Sequence, residues 1–431
     1  MNYEEAMQYI HSISWSGSRP GLERIGELCE KMHHPEDKLK FIHVAGTNGK
    51  GSFCCMLSHI LTAAGYKTGL FTSPYIETFN ERMQIDGSNI ENDELAEITE
   101  YVKQFADTMA DPPTEFELIT AVAFEYFSRR ACDYVVLEAG LGGRLDSTNI
   151  IKQAVLSVIT GIDFDHTAIL GETTAEIARE KAGILKPGTQ VLFGEGNDEA
   201  EAVIRETCCR VVGENAWHRT DYSRIADVST TLDGTVFNFS PWNHVKMHML
   251  GLYQLKNCAN VLTAVEILRE TGIDLPDASV YEGIAAAHWK ARFEKLSEDP
   301  LVLFDGAHNP QGINAAAENI RRYLINPGIC EKVTLVMGVL RDKDYPSMIA
   351  ALAPLCDSVV TITPPNPRAL PALETAAAFQ SHGVTAEGAD TLADGVEKAY
   401  RLAEKNNKPL VILGSLYIYS EVKEALGRLL H

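Results

Sequence analysis

From Gly46 to Ser52 the chain reads Gly-Thr-Asn-Gly-Lys-Gly-Ser, which places three glycines, a lysine and a hydroxyl in seven residues. An apolar run, "FIHVA", precedes it and a helix-like run follows it. A strand, a glycine-rich turn and a helix start make a phosphate cradle: backbone N–H groups point inward, the helix dipole favours negative charge, and a lysine adds a point charge. Gly46, Thr47, Asn48, Gly49, Lys50 and Gly51 would line the cradle, with the Ser52 hydroxyl placed for a magnesium ion. The order GxxGKGS is not the Walker A pattern, whose first glycine would fall at Val44. The plainer reading is a strand–helix turn that needs glycine for its backbone angles.

Other polar residues close apolar runs in the same way. Glu138 ends "YVVLE", and a carboxylate at a strand end near a phosphate loop suits Mg²⁺, a hard cation with oxygen ligands. Its alternative is a partner for Arg144. His166 follows "GIDFD", and a lone histidine there also reads as a cap or a core residue. Asp305 and His308 lie three apart in "FDGAHN", where Asp305 or Asn309 could equally cap a helix. Lys181 sits in a helical run and by composition reads as a solvated surface residue.

Strand-like and helix-like runs alternate along the chain and must position these groups. "KFIHVA", "KTGLFT", "DYVVLEAG" and "AVLSVIT" read as buried strands. The runs 52–64, "ELAEITEYVKQFA", "FELITAVAFEYFSRR", "AEIAREKAGIL" and "NCANVLTAVEILRETG" read as helices, with capping boxes at Thr114/Glu117 and Thr173/Glu176. Residues 224–250 alternate around Asp233-Gly234, a hairpin signal. A second alternating series, "LVLFDGAHN", "KVTLVMGVL", "DSVVTIT" and "PLVILGSLY", starts after "HWKARFEKLSEDP". The expected fold is α/β in two domains. Residues 1–289 form a larger P-loop-type, mostly parallel sheet with helices on both faces, and residues 290–431 a smaller Rossmann-like domain.

Bulk properties exclude several classes. The 431 residues include 59 acidic and 38 basic side chains, a net charge of −21 that argues against nonspecific nucleic-acid binding. Anionic ligands would then depend on local lysines, arginines, metal ions and helix N-termini. No stretch reaches the roughly 18 consecutive apolar residues of a membrane span. The N-terminus "MNYEEAMQYIHSISW" lacks the apolar segment of a secretory signal. Nine scattered cysteines without a CxxC pair read as reduced thiols in a cytoplasm.

"HVAGTNGKGS" resembles the nucleotide loop of the Mur ligase superfamily, in particular the folylpolyglutamate synthase/dihydrofolate synthase family. The resemblance runs in order through "FTSPYIETFNERMQIDG", "PTEFELITAVAFEYF", "VVLEAGLGGRLDSTN", "DHTAILGETTAEIAREKAGILKPG", "ARFEKL", "FDGAHNPQG", "MGVLRDKDY" and "GSLYI". It implies a Mur ligase central-type ATP-binding domain and a C-terminal Mur ligase-type domain. It implies two Mg²⁺ ions on Ser52, Ser73, Glu138 and His166, and Lys181 carbamylated into an anionic group, which needs a lysine pKa depressed by burial. It assigns Asn257, Arg292, Asp305 and His308 to ATP across the domain cleft, and Lys50, Lys181 and His166 to catalysis. Tyr253 stands where the family commonly has histidine, and Lys290-Ala291 where it has Pro-Gly. Tyr75 could stack on a pterin or aminobenzoyl ring, Arg82 could pair with a carboxylate, and Phe116 could pack on the pteroate ring. Lys343 and Ser415 are candidates for the glutamate pocket.

The implied activity is ATP-dependent ligation of L-glutamate to the γ-carboxylate of a folate through an acyl phosphate, by a cytoplasmic monomer; many family members also use dihydropteroate, and the sequence does not decide whether this one does. A cell-wall Mur ligase is the second enzymatic reading. Only about 40 residues precede the phosphate loop, too few for the UDP-binding domain such an enzyme carries. A nucleotide-binding switch without ligase activity is the third.

Overall fold

The computed structural model describes residues 1–13, 21–164 and 166–430. The chain divides into two compact units. The first comprises Met1–Ala226, Asn238–Val245 and Lys256–Ala287; the second comprises Asp227–Phe237, Lys246–Leu255 and His288–His431.

In chain order the first stretch carries α1 (Tyr3–Ser12), α2 (Glu23–Lys31), β1 (Phe41–Ala45), α3 (Lys50–Ala63), β2 (Thr68–Phe71), β3 (Met83–Ile85), β4 (Ser88–Asn89), α4 (Asn92–Ala106), α5 (Glu115–Arg129), β5 (Tyr134–Glu138), β6 (Leu156–Gly161), α6 (Thr167–Leu170), α7 (Thr174–Ala182), β7 (Gln190–Glu195), α8 (Asp198–Val211) and β8 (Trp217–Arg219). Among the described residues its sheet has eight strands in the order β4-β3-β2-β5-β1-β6-β7-β8. Pairing is parallel from β2 to β8, while β3 and β4 add an antiparallel edge. β1 and β5 are buried along their whole length, which is why both read as mostly apolar runs rather than alternating ones.

Local chemistry starts the helices where the sequence places them. Thr114 and Glu117 exchange side-chain and backbone hydrogen bonds at the start of α5, and Thr173 and Glu176 do the same for α7. The helix after Thr173 ends at Ala182, earlier than the run "AEIAREKAGIL" suggests, and Gly183 follows as its C-cap. Apolar side chains of α1, α2, α4 and α5 build one core against the sheet, with Phe41, Phe71, Phe124 and Phe127 at its centre. α7 and α8 build another around Ile159, Ile177, Val191 and Phe193.

Next come β9 (Ile225–Thr231), β10 (Gly234–Phe239) and β11 (Trp242–Met247), which form a three-stranded sheet in the order β11-β10-β9. The turn between β9 and β10 falls at Asp233, where the Asp-Gly pair predicts it. α9 (Tyr253–Glu270) and α10 (Asp277–Ala286) follow, and α10 packs on α3.

The last stretch carries β12 (Glu294–Glu298), β13 (Leu301–Asp305), α11 (Pro310–Ile320), β14 (Val333–Met337), α12 (Tyr345–Leu352), β15 (Cys356–Thr361), α13 (Ala372–Ser381), β16 (Thr385–Gly388), α14 (Leu392–Asn406), β17 (Leu410–Leu413) and α15 (Tyr419–Leu429). Among the described residues its sheet has six strands in the order β12-β13-β17-β14-β15-β16. Only β12 is antiparallel to its neighbour. The fold is thus α/β, with a large parallel-dominated sheet followed by a smaller sheet with helices. All nine cysteines are free thiols. No described helix is long and apolar enough to cross a membrane.

Candidate active site

Strand register gathers the first set of residues. β1 lies between β5 and β6; Val44 faces Glu138, and Ala45 faces Ile159. On the other side of β5, Phe71 faces Leu137. Parallel pairing therefore brings the segments after β1, β2, β5 and β6 out at one edge of the sheet, the carboxyl edge where open α/β sheets bind ligands.

The loop after β1 is fixed from below by β6. The Thr160 hydroxyl donates to Asn48 O at 2.7 Å, Thr47 N donates to Gly161 O at 2.8 Å, and the Thr47 hydroxyl donates to Asp163 O at 3.0 Å. Two glycines have no substitute here. A Cβ on Gly46 would lie 2.0 Å from Thr160 Oγ1, and one on Gly49, whose φ is 83°, would lie 2.3 Å from Asn257 Oδ1. Asn257 on α9 is thereby placed against the loop. α3 begins at Lys50, and its N-cap, Gly49, offers no side-chain hydrogen bond. The first-turn N–H groups and the helix dipole then favour an anion.

Two lysines converge on a single backbone carbonyl. Lys50 Nζ donates to Gly46 O at 3.0 Å and to Thr47 O at 3.3 Å, and Lys181 Nζ donates to Gly46 O at 2.8 Å. Lys181 is only 3% exposed, so the solvated-surface reading of this helical lysine does not hold. α7 turns it inward because Ile177, Ala178 and Ala182 occupy the buried face beside it. Both ammonium groups thus concentrate positive charge at the loop in a chain that is strongly acidic overall.

Glu138 and Ser52 are both buried, and Ser73 N donates to Glu138 Oε2 at 3.2 Å. Arg144, the alternative partner for Glu138, pairs instead with Glu180 at 2.9 Å. The donors Glu138, Ser52 and Ser73 are carboxylate and hydroxyl oxygens, a set that fits a hard divalent cation. His166 stands exposed at the start of α6, with a left-handed φ of 48°.

Beside this edge is an aromatic loop. Arg82 stacks over the rings of Tyr75 (5.2 Å) and Phe79 (5.6 Å), and its Nε and Nη1 are buried without a hydrogen-bond partner. Burial lowers its pKa, opposed by the nearby Tyr75, Glu115 and Glu138. Tyr75 is 36% exposed. Phe116, in the first turn of α5, packs at 6.1 Å on Phe71 and closes over Gly140, where a Cβ would lie 2.6 Å from its ring.

The second unit gathers its own set. Asp305 ends β13; its Oδ1 accepts from Ala307 N at 2.9 Å and its Oδ2 from the Tyr253 hydroxyl at 2.9 Å. Burial pushes this carboxyl above its usual range, opposed by the Arg292 charge and the Tyr253 hydrogen bond. Arg292 lies between Ala291 (φ 58°) and Phe293 (φ 47°), left-handed conformations that non-glycine residues adopt only when the surroundings impose them. Glu294 fixes that bend by accepting from Ala291 N at 2.7 Å and from the Tyr419 hydroxyl at 2.8 Å. His308 Nδ1 lies 2.8 Å from Gly306 O, and Asn309, not Asp305, caps α11 through Gly312 N. Ser415 caps the turn Leu416–Ile418, and Lys343 lies in the turn after β14.

Sequence reasoning missed the residues that hold these loops. Asp146 accepts from Leu141 N at 2.8 Å and from the Thr148 hydroxyl at 2.5 Å, shaping the glycine-rich segment after Glu138. Because that hydroxyl is already donating, His43 Nε2, 2.9 Å from Thr148 Oγ1, carries the ring proton. Its visible signal is one histidine inside the otherwise apolar run "FIHVA". Thr160 carries no comparable signal, and Tyr253 shows in the sequence only as a departure from the family's usual histidine.

The Mur ligase middle domain matches residues 44–267, and the Mur ligase glutamate ligase domain matches residues 291–416. The chain is 34% identical to a dihydrofolate synthase/folylpolyglutamate synthase of Bacillus subtilis, over 98% of this chain and 99% of that protein. It is similar to the Mycobacterium tuberculosis folylpolyglutamate synthase (FPGS) solved with ADP and AMPPCP, at 30% identity and a TM-score of 0.85, covering 100% of this chain and 99% of that one. A solved FPGS–AMPPCP–folate complex is 33% identical, with a TM-score of 0.84 over 99% of this chain and 100% of that one. The chain belongs to the folylpolyglutamate synthase/dihydrofolate synthase family of the Mur ligase superfamily.

Proposed function

We propose that this protein is an ATP-dependent ligase that joins L-glutamate to the γ-carboxylate of folates, and that it also accepts dihydropteroate. Its relatives carry both activities in their names, and a solved neighbour holds a nucleotide analogue together with folate. The observation that carries the reading is the Gly46–Ser52 loop, with Lys50 and Lys181 both on the Gly46 carbonyl and the buried Glu138 carboxylate held on Ser73. Carboxylates do not condense with amines unaided, so a phosphoryl group must first make the leaving group. The acceptor's carboxylate, the γ-carboxylate of a folate or the aminobenzoate carboxylate of dihydropteroate, attacks the γ-phosphorus of ATP and ADP departs, giving an acyl phosphate. The amine of glutamate then attacks the activated carbonyl, loses its proton, and phosphate leaves. There is little covalent chemistry for the protein, whose share is positioning and charge stabilisation.

In this reading the loop amides, Lys50, Asn257, Arg292, Asp305 and His308 bind the nucleotide. Arginine suits Arg292's role through its planar fork of donors. Ser52, Ser73, Glu138 and His166 would hold two Mg²⁺ ions, which when bound neutralise phosphate charge. Lys181, buried at the loop, is the residue that carbamylation would convert to an anion. Arg82, whose guanidinium holds two buried donors without partners, takes an acceptor carboxylate, while Tyr75 and Phe116 flank its ring. The protein acts as a monomer in the cytoplasm. The test is purified enzyme assayed with tetrahydrofolate and with dihydropteroate, each with ATP and glutamate, beside Lys50→Ala. Both acceptors should be glutamylated and Lys50→Ala should be inactive. Activity on neither acceptor would refute the assignment, and full activity of Lys50→Ala would remove the loop from the mechanism.

A further inference from the structure

A pair of histidines, His33 and His34, follows the C-cap of α2, and the chain then makes a short 3₁₀ turn, Pro35–Lys38, before entering β1. His34 N donates back to Cys29 O at 2.8 Å, so the helix end fixes where His34 stands. Its Nδ1 lies 2.9 Å from Glu36 Oε1. Asp37 completes a group in which one ligand atom from each of the three residues lies within 4.8 Å of the other two. Among the described residues this is the only such group of three His, Cys, Asp or Glu side chains.

The observation that points to an occupant is Glu36. Its side chain is 2% exposed, and its Oε2 is buried with no hydrogen-bond partner. A carboxylate oxygen in that position has lost its water and gained nothing for it. A cation shared with His34 and Asp37 would supply the missing partner. Lys152 does not fill this role: its ammonium pairs with Asp37 Oδ2 at 2.5 Å from a side chain that is 63% exposed. The Cys29 thiol lies beside Glu36, and burial first, then the Glu36 charge and a hydrogen bond to that carboxylate, push its pKa upward.

We propose that His34, Glu36 and Asp37 form a binding site for one zinc-class divalent cation. One imidazole nitrogen and two carboxylate oxygens match the ligand preferences of zinc, while magnesium and calcium favour oxygen alone. Ligand atoms about 3.3 Å apart are what a tetrahedral zinc centre requires, close to the His34–Glu36 spacing. Three protein ligands leave one coordination position for water. Binding inserts the ion between His34 Nδ1 and the Glu36 carboxylate, so that Oε2 gains the partner it lacks, and lets the exposed Lys152 ammonium swing into solvent. The ion ties the end of α2 to the segment that leads into β1.

The test is equilibrium dialysis of the full chain against Zn²⁺ with metal counting, alongside zinc-dependent thermal melts. His34→Asn is the main variant, because asparagine tolerates the left-handed backbone that His34 adopts and should leave the turn intact. Glu36→Gln keeps shape and removes charge. The wild-type chain should hold one zinc more than either variant, with affinity at this site weakened about tenfold or more in both. Lys152→Ala, which removes the competing ammonium, should bind at least as tightly as wild type. Zinc should raise the melting temperature of the wild type more than that of His34→Asn. Equal zinc uptake and equal thermal shifts in wild type and His34→Asn would overturn the proposal.

Discussion

At the scale of residues, the site is charge held in place by backbone. Glu138 is buried at a strand end and held by Ser73 N; on the proposed Mg²⁺ assignment its loss acts through the metal. Glu138→Ala is expected to raise the Mg²⁺ concentration giving half-maximal rate by about tenfold or more. A titration of activity against Mg²⁺ that matches the wild type would remove Glu138 from the metal site. His43 makes a different prediction. Burial lowers its pKa from 6.5 to about 3, so the folded state keeps it neutral while the unfolded chain takes up a proton below 6.5. The unfolded state therefore binds more protons between pH 6.5 and about 3, and stability falls as pH falls through that window. The slope from this residue approaches about 1.4 kcal/mol per pH unit. His43→Asn should flatten urea-derived stability between pH 6 and 4 relative to the wild type; parallel curves would show that His43 is not the group responsible.

At the scale of elements, helix starts and loop glycines carry the precision. Glu117 serves twice. It closes the capping box with Thr114, and it accepts a two-pronged ion pair from Arg24 of α2, both contacts at 3.0 Å. Losing the cap alone, in Thr114→Ala, should cost about 1 kcal/mol. Glu117→Ala removes the cap's return bond and both contacts to the largely buried Arg24 guanidinium, which keeps Asp111 at 3.7 Å, and should cost roughly 2–3 kcal/mol. Urea unfolding of the two variants checks the ranking, and equal losses would contradict it. Gly49→Ala must displace Asn257 and adopt an unfavourable φ, so it should lose nucleotide affinity while the fold survives; calorimetric titration with ATP at wild-type affinity would contradict this. These features differ in how far the sequence exposes them. The strand–loop–helix at Phe41–Ala63, the boxes at Thr114 and Thr173, and the hairpin at Asp233 are local patterns, legible from a few neighbouring residues. Lys181 reads locally as a surface lysine, and only tertiary burial shows otherwise. The Arg24–Glu117 and His43–Thr148 links join residues far apart in the chain, and no spacing rule reveals them. The antiparallel strands β3, β4 and β12 are short edge pieces whose few residues carry no period.

At the scale of the whole molecule, two α/β units each present a polar cluster at strand ends. The first clusters around Gly46, Glu138 and Lys181, the second around Arg292, Asp305 and His308. The polar identity of these positions is written in the sequence, but which ligand they serve comes from kinship with folate-glutamate ligases. The account's central claim is that ATP is spent only to activate a folate acid for attack by glutamate. ADP release by the purified protein, measured with each substrate omitted in turn, tests it most directly. The account predicts rapid release when ATP, folate and glutamate are all present, and only background release without either the folate or the glutamate. Release that continues unchanged when both are left out would contradict it.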